Sequence, residues 1–558
     1  METQTPAETL NQTVALLNTL LPSTLSITLF PSRWQTLRTK LASLKSLVSE
    51  LTYSSHWPDN ELLSHLLPNI LTTLQRVNIL CTQCTNRGLV TGKLLMQSDL
   101  DMATGWLSKQ IHDLDLLLRS GVLRYDNALV LSQPVPGSNK EDLCFFIRDC
   151  FTRLQIGGVE FKKKALESLI ELLLNDEKAA SVVAKEGSIG YLINLFDVNV
   201  HREQSVTVIS MLCNNDVSRK IVFEQGGLGP LLRIVESGSV QLKEKAVMAI
   251  EAITADPDNA WAVSAYGGVS VLLEVCKSGS LAAQSHAIGA IRNVANSEDV
   301  RVSLGEECGV PVIVEMLVSG SASAKEKAAN CIAILASLSE YFRAVIMEQK
   351  GLQKLLMLLH QSSNPDTLEH VLDAIHALSL TDSVNRLLSS STNFISQLSG
   401  IIKQGNFTLQ QISVSILANL SISDSNKRLI SGCMGSLMKL IEFTKPLGLQ
   451  EACLKVLVAL LSVKPNRKEF VKDEKNMMRL VQMLDPVNES VPNKIPVAIV
   501  HALMSGGSNG CRKRLVDAGA QGYLQKLNEM NIAGAKKALQ RLSGNRLKNI
   551  FSRGWREL

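Results

Sequence analysis

Few side chains in this sequence have both the type and the spacing that chemistry requires. Cys81 and Cys84 have the CxxC spacing of half a zinc site or of a redox pair. No second CxxC or nearby histidine pair completes a metal cage, and no strand pattern precedes the pair, as a thioredoxin-type motif needs. We therefore expect two thiols one turn apart on a buried helix face.

A second candidate group contains His370, Asp373 and His376. Positions six apart on a helix point about 240° apart, so the two histidines cannot converge on one ion. The glycine-rich segment SGGSNG, residues 505–510, follows a helical pattern rather than a strand, which argues against a phosphate cradle. The sequence has no nucleotide-binding or hydrolase motif. It favours a binding protein over an enzyme, with no cofactor and no metal.

The composition indicates a folded, helical protein. Of 558 residues, 45% are hydrophobic and 20% charged, and the aromatic share is only 4%, which favours an all-α fold over a β-sandwich. The net charge of +5 gives no indication of a nucleic-acid partner. The eleven scattered cysteines are typical of reduced thiols, and the first residues lack the basic region of a targeting peptide. We expect a cytoplasmic protein, with the nucleus or a membrane surface as alternatives.

One phrase recurs along the chain. FEQGGLGPLLRIVESGS at 223–239 and SAYGGVSVLLEVCKSGS at 264–280 share a Gly-Gly pair, an apolar run and a small polar turn. The residues just before the first apolar position mark the repeat, at intervals of 39 to 44 residues: Ser188, Gly227, Gly268, Gly309, Gly351, Asn393, Cys433, Asn476 and Ala520. A period of about 42 is typical of two- or three-helix solenoid repeats.

Each repeat predicts three helices. After the mark come apolar residues at helical spacing, a Ser/Gly turn, a short helix and a longer one such as SHAIGAIRNVAN. We expect the glycine at the mark to allow a close approach of two helices and to adopt left-handed dihedrals, since it has no Cβ. A single repeat cannot bury its own apolar face, so stacked repeats must share a continuous core.

The repeats resemble a known family. ISVSILANLSISDSNKRLI, residues 412–430, resembles the armadillo phrase of an Ala/Leu-x-Asn-Leu-Ser helix followed by Asn-Lys/Arg and an apolar pair. The resemblance covers about residues 142–545 and implies a right-handed superhelix whose groove is lined by the third helices. The segment FKKKALESLIELLLNDEKAASVVAKEG, after an N-terminal helical part, resembles the plant armadillo proteins, both the U-box armadillo ligases and the armadillo-repeat-only group. The Cys-Pro-Ile phrase of a U-box is missing, so ligase activity is not implied.

Four segments follow from these patterns. Residues 1–131 lack the period and show amphipathic stretches, which predict an N-terminal helical bundle. A linker at 132–141 precedes about nine armadillo repeats at 142–532. A basic amphipathic segment at 533–558 forms a cap or a tail.

The resemblance also indicates a groove for a partner. Peptide-binding armadillo arrays hold asparagine at one position of each third helix, where here only Asn293 and Asn419 match. One turn earlier, where importin α places tryptophan, this chain has no aromatic residue and has Asn330 and Asp373 in two repeats. This disfavours a nuclear transport receptor. We predict partner contacts centred on Arg292, Asn293, Asn330, Asp373 and Asn419, with caps or inter-repeat hydrogen bonds as the alternative for the two matching asparagines.

The predicted function is that of a non-enzymatic scaffold or adaptor that binds a protein partner in its groove. The resemblance implies roles in signalling, trafficking or polar growth, with small GTPases or ubiquitin-pathway components as partners. The alternative is a ubiquitin-ligase-associated subunit that lacks a U-box.

The last segment offers a second contact. Its apolar residues can share one helical face, with basic residues largely elsewhere. They either cap the final repeat or, in the second interpretation, touch an anionic membrane surface through Arg546, Lys548, Phe551, Arg553 and Trp555.

Overall fold

The regular elements of the chain are helices. The structure, a computed structural model, describes residues 5–52, 57, 60–85, 92–120, 134, 140–176, 178–505 and 509–543, and no strand occurs among them. The chain divides into two compact units, residues 1–262 and 263–558. The all-α fold predicted from the sequence is confirmed.

The first four helices form a bundle with a leucine-rich core. They are α1 (Pro6–Ser23), α2 (Pro31–Thr52), α3 (Glu61–Thr85) and α4 (Lys93–Arg119). At the start of α1, Thr5 and Glu8 each accept a hydrogen bond from the other's backbone N–H, which satisfies two donors that the helix leaves unpaired. Cys81 and Cys84 lie in the bundle core, as the sequence predicts, and burial raises the pKa of both thiols.

A helix pair follows the bundle and precedes the repeats: α5 (Lys140–Ile156) and α6 (Val159–Asn175). Two full repeats and the first helix of a third come next: α7 (Ala179–Glu186), α8 (Ile189–Asn194), α9 (Arg202–Leu212), α10 (Asp216–Glu224), α11 (Leu228–Ser237), α12 (Val240–Thr254) and α13 (Ala260–Ala265). The bundle core extends into the helix pair, because Ile156 and Phe161 pack against it and Arg153 lies 3.3 Å from the carboxylate of Glu61.

The remaining helices complete the repeats. They are α14 (Gly268–Ser278), α15 (Leu281–Val294), α16 (Glu298–Glu306), α17 (Gly309–Ser319), α18 (Ala322–Leu338), α19 (Glu340–Glu348), α20 (Gly351–Gln361), α21 (Pro365–Leu378), α22 (Asp382–Ser390), α23 (Thr392–Gln404), α24 (Phe407–Asn419), α25 (Asp424–Leu429), α26 (Met434–Leu440), α27 (Leu449–Leu461), α28 (Lys464–Lys472), α29 (Glu474–Leu484), α30 (Lys494–Met504), α31 (Asn509–Asp517), α32 (Ala520–Glu529) and α33 (Ala535–Ser543). From α7 onward the helices described form nine sets of three.

Successive third helices pack side by side. In the first unit α9 and α12 pack against each other, and α6 of the preceding helix pair packs against α9. In the second unit the row runs α15, α18, α21, α24, α27, α30 and α33. Each helix presents an apolar face to its neighbours, as on α18, where Ile332 and Leu335 are fully buried. The row is therefore the shared core that the repeat period requires.

The turn of the chain before the second helix of each repeat, which we call the corner, differs from the sequence prediction in one respect. At the marked Gly227 the backbone is helical, and the left-handed residue is Gly226, with φ of 76°. The marked glycines serve close approach instead: a Cβ on Gly351 would lie 2.5 Å from Ile346 Cγ2 and 2.8 Å from the Ile346 carbonyl oxygen. The expectation that the marked glycine itself is left-handed is therefore wrong, because the turn of the chain falls one residue earlier.

The predicted segment ends are only partly described. Of the predicted linker, the structure describes residues 134, 140 and 141, and α33 lies within the segment predicted as a cap or tail. The predicted membrane contacts, Arg546, Lys548, Phe551, Arg553 and Trp555, lie outside the described residues. No helix in the described ranges is long and apolar enough to cross a bilayer.

Candidate functional site

The five predicted partner contacts lie on neighbouring third helices. Arg292 and Asn293 are on α15, Asn330 on α18, Asp373 on α21 and Asn419 on α24. Each of these helices packs against the next one in the row. We call these five residues the groove strip.

Three members of the groove strip already have partners within the chain. Arg292 donates from Nη2 to Asn293 Oδ1 at 2.7 Å, a contact within one helix. The Nδ2 of Asn330 lies 3.2 Å from His370 Nε2 on α21, which makes it an inter-repeat hydrogen bond. These contacts hold the side chains in place, so a ligand would meet a prearranged surface here.

Asp373 is in a different situation. It is half-buried, and Glu369 lies one helical turn earlier on α21, also half-buried. Neither carboxylate has a hydrogen bond or ion pair among the residues described. Burial, with a smaller contribution from the negative charge of Glu369, raises the pKa of Asp373 to about 6. The pair is therefore an acidic position that a cation from outside would stabilise.

Lys327 on α18 contacts the preceding repeat. Lys327 Nζ donates to the Ser285 carbonyl oxygen at 3.1 Å, which ties α18 to α15. The histidine on the same face as Asp373, His370, pairs with Asn330, and burial lowers the pKa of His376. The lowered pKa of His376 disfavours its charged form beside the acidic position.

Asn419, at the end of α24, has an exposed side chain. Its backbone carbonyl oxygen accepts a hydrogen bond from Asn385 Nδ2 at 2.8 Å, and Asn385 lies on α22. This contact fixes the end of the third helix against the first helix of the same repeat. The side chain of Asn419 is left facing solvent.

The row of third helices continues into a cleft at α27 and α30. A cavity of about 480 Å³ there is lined by small residues, including Ala498, Ala502 and Gly534, and by His501. Ala498 occupies the repeat position of Asp373, and Ala502 that of Asn419. Small side chains at both positions leave an open, mostly apolar depression.

Sequence reasoning missed three features of this face. Glu369 could have been found, because it lies four residues before Asp373 and so on the same side of a helix. The pairing of Asn330 with His370 and the cleft at α27 and α30 depend on how separate repeats pack, which no local pattern records.

Among the described residues, no three His, Cys, Asp or Glu side chains are grouped as metal ligands would be.

Comparison with known proteins agrees with this architecture. Residues 11–122, which cover most of the bundle, match a family model described as a domain of unknown function (DUF7032). No curated protein matches the chain significantly. An engineered protein solved by a structural genomics consortium is similar at 22% identity, with a TM-score of 0.58 over 71% of this chain and 97% of its own.

Two designed proteins are similar over a shorter stretch. One designed armadillo repeat protein has 21% identity and a TM-score of 0.39 over 41% of this chain and 98% of its own. Another, solved in complex with the peptide (KR)4, has 21% identity and a TM-score of 0.38 over the same shares. These two scores are too low to support an argument.

The fold rests on the helices themselves: sets of three, repeated about every 42 residues, with third helices packed in rows. The chain is an all-α protein of three-helix repeats preceded by an N-terminal four-helix bundle.

Proposed function

We propose that this protein is a non-enzymatic adaptor that holds a segment of a protein partner along the third helices of its second unit. The contacts centre on the groove strip, Arg292, Asn293, Asn330, Asp373 and Asn419, with Glu369 added to it. The partner segment places a lysine or arginine side chain against Glu369 and Asp373.

The observation that carries this proposal is the unpaired acidic position on α21. Two half-buried carboxylates one turn apart repel each other, and Asp373 has a pKa of about 6 as a result of burial and that repulsion. A structural role would normally pair such groups with a cation from the same chain. A bound cation offsets both the burial of the two carboxylates and their mutual repulsion, so the position favours a positively charged ligand group.

Selected peptides provide the test. A random 12-residue phage-displayed library is selected on the full chain, and the enriched peptides are synthesised with a fluorophore for anisotropy titration. The double variant Glu369→Gln, Asp373→Asn should bind them about tenfold more weakly, since a hydrogen bond to a charged group contributes about 1.5–3 kcal/mol.

The matched control is Glu340→Gln with Glu348→Gln. Both residues are exposed on α19, the first helix of its repeat, so this variant loses the same charge on another surface. Its affinity should stay within about twofold of the wild type, as expected for exposed charges. Equal weakening by both double variants would place the binding surface outside the groove strip.

The partner classes are narrower proposals. The family resemblance suggests small GTPases or components of the ubiquitin pathway, and roles in signalling, trafficking or polar growth. Reciprocal co-purification with a cullin, RING or U-box protein, lost in the Glu369→Gln, Asp373→Asn variant, would favour the ligase-associated role over a free adaptor.

The membrane contact of the C-terminal segment is a separate prediction, since Arg546, Lys548, Phe551, Arg553 and Trp555 lie outside the described part of the chain. Sedimentation with neutral and anionic liposomes, with and without residues 543–558, tests it. Binding to anionic liposomes alone that fades at high salt would support a membrane contact. No sedimentation, together with a lower melting temperature on truncation, would indicate a cap.

A further inference from the structure

A second cavity lies in the first unit, remote in sequence from the groove strip. A cavity of about 740 Å³ is formed by α3, α4 and the turn between α5 and α6. That volume is within the range of small-molecule and side-chain pockets, roughly 300–1,000 Å³. We call it the bundle cavity.

One end of the bundle cavity is apolar. Leu66 of α3 and Ile156 and Phe161 at the α5–α6 turn line it, and all three are only partly buried. They pack on the bundle core from outside, and the ring of His65 meets that of Phe161 edge-on at 5.5 Å. This end can therefore receive an apolar side chain without disturbing the core.

The middle of the bundle cavity contains an acceptor without a donor. Gln110 on α4 donates from Nε2 to the Asn69 carbonyl oxygen at 3.1 Å and to Thr73 Oγ1 at 2.8 Å. A carbonyl oxygen can only accept, so these bonds set the orientation of the amide. Gln110 Oε1 is left buried with no hydrogen-bond partner. Buried acceptors are rarely left unpaired, so this atom points to a donor supplied from outside.

A carboxylate lies one turn further along the same helix. Asp113 lines the bundle cavity, is half-buried and has no hydrogen bond or ion pair among the residues described. Burial raises its pKa, and Lys109, His112 and Lys162 oppose that effect only in part. Lys162 is held elsewhere, because its Nζ donates to Tyr191 Oη at 2.7 Å.

Lys109, Arg76 and Glu160 also line the bundle cavity, and none of them is hydrogen-bonded to Gln110 Oε1 or to Asp113 in the part of the chain that the structure describes. Lys109 lies one turn before Asp113 on α4 and offsets the raised pKa of Asp113 only in part. Arg76 lies over the ring of Trp106 at 5.1 Å and 3.4 Å from Asp99 Oδ1, which holds its guanidinium at the far end. Glu160 is exposed at the rim. The centre of the cavity therefore offers one neutral acceptor and one carboxylate beside an apolar end.

We propose that the bundle cavity binds a protein segment that inserts an apolar side chain against Leu66, Ile156 and Phe161 and presents an adjacent arginine to Gln110 and Asp113. A guanidinium has five N–H donors in one plane and no acceptor, so it can serve a neutral acceptor and a carboxylate together. A backbone amide would serve Gln110 alone and leave Asp113 unneutralised. A lysine ammonium is a more strongly hydrated point charge that matches two separated acceptors less well.

Peptide selection that uses a variant with a filled bundle cavity as the negative control tests the proposal. A random 12-residue phage-displayed library is selected for peptides that bind the wild-type chain and not the Gly158→Phe variant. Gly158 lines the bundle cavity, has φ of −69°, which suits any L-residue, and a Cβ built on it meets no atom within 4 Å, so the new side chain starts in open space. The expected pool is enriched in arginine next to leucine, isoleucine or phenylalanine.

Point variants then locate the contacts. Gln110→Met and Asp113→Asn should each weaken binding of the selected peptides about tenfold, as expected for a hydrogen bond to a charged group. The control Asp115→Asn removes a carboxylate from the same helix that pairs with Arg119 instead, and it should change affinity less than about twofold. Replacing the arginine of a peptide by citrulline, its neutral analogue, should weaken binding to the wild type and not to Asp113→Asn.

Three results of these experiments would overturn the proposal, the last two of them concerning the selected pool. One is a library that yields no peptide distinguishing the wild type from Gly158→Phe. The others are a pool without arginine enrichment and peptides that bind equally to the Gln110 and Asp113 variants. If Gly158→Phe melts early, Thr72→Trp blocks the bundle cavity from the exposed side of α3 instead.

The result is independent of the groove. The peptides should bind the Glu369→Gln, Asp373→Asn variant as they bind the wild type, because those residues belong to the second compact unit. Loss of binding in that variant would assign the selected peptides to the groove strip and overturn the bundle cavity as their site.

Discussion

The repeats that contain α17 and α20 begin their second helix differently from those that contain α23 and α29. Before α17 and α20 the chain passes through a left-handed residue, Cys308 with φ of 50° and Lys350 with φ of 59°. Before α23 and α29 the preceding residue is extended and caps the helix with its side chain. Ser391 accepts from the Phe394 N–H, and Asp473 accepts from the N–H groups of Lys475 and Asn476.

The comparison shows that the chain can enter the second helix of a repeat in two ways, with different residues at the turn. At the left-handed corners before α17 and α20 the mark is a glycine, which lies close to the end of the previous helix, whereas the left-handed corner before α32 has Ala520 at the mark. The capped corners have Asn393 and Asn476 at the mark and satisfy the helix N–H groups with a side chain instead. Repeats that look unrelated in sequence at this point can therefore carry equivalent helices.

The two groups also differ on the third-helix face. The repeat of α20 carries the acidic position of Glu369 and Asp373 on α21, whereas the repeat of α29 contributes α30 to the apolar cleft. Along one row of helices, a charged contact and an apolar contact are thus separated by two repeats. A bound segment would need a cation and an apolar side chain at a matching distance.

The largest expected effect is at a left-handed corner. Gly351→Ala places a Cβ 2.8 Å from the Ile346 carbonyl oxygen, which cannot rotate away. We expect the free energy of unfolding to fall by about 1–3 kcal/mol, as for other overpacked sites. The control Gly400→Ala lies in the exposed interior of α23 with no atom within 4 Å of the new Cβ, and should gain about 0.5–1 kcal/mol from helix propensity. Urea unfolding of both variants measures the contrast, and equal curves would contradict it.

A smaller effect is expected at a capped corner. Asp473→Ala removes the acceptor for two backbone N–H groups at the start of α29 and should cost about 1 kcal/mol. Asp473→Asn keeps an acceptor without the charge and should cost only a few tenths. If the asparagine variant loses as much as the alanine variant, the charge and not the cap stabilises this corner.

The acidic position predicts a pH dependence. The folded-state pKa of Asp373, about 6, lies above its ordinary value of 3.8, so the folded chain binds this proton more tightly than the unfolded chain does. Its stabilising contribution is complete below about pH 4 and is lost as the pH rises through 6. Asp373→Asn should therefore be more stable than the wild type at pH 7.5 by on the order of 1 kcal/mol, after screening of a partly exposed group. The difference should vanish near pH 4 in urea unfolding, and a difference constant with pH would exclude this origin.

The smallest effect concerns the left-handed residues themselves. A left-handed conformation costs an L-residue about 1–2 kcal/mol, and glycine loses about 0.5–1 kcal/mol of that advantage through entropy. Lys350→Gly should thus gain about 0.5 kcal/mol, seen as a higher melting temperature. Gly267→Ala, at φ of 66° with open space around its Cβ, should lose a similar amount. Shifts of the same sign in both variants would show that backbone strain does not decide these corners.

The sequence predicted most of the fold because its evidence is local. Helical spacing of apolar residues and the recurring mark determine three helices per repeat, and both are properties of short segments. The sequence analysis placed the left-handed residue one position too late. In a Gly-Gly pair the first glycine takes the positive φ, and the second allows the close approach of the two helices. Sequence reasoning could not find the bundle cavity, since Gln110 and Phe161 come to line one cavity only through the packing of separate helices.

Cys308 occupies one of the left-handed corners and, among the eleven cysteines of the chain, is the exposed one. Burial raises the pKa of several others, with Cys276 and Cys331 at about 12, so they form little thiolate at neutral pH. A short maleimide reaction should therefore attach a fluorophore mainly at Cys308 without removal of any native cysteine. The unaltered protein then carries a reporter at one repeat corner, and ligand binding or local opening near α17 can be followed as a change in emission.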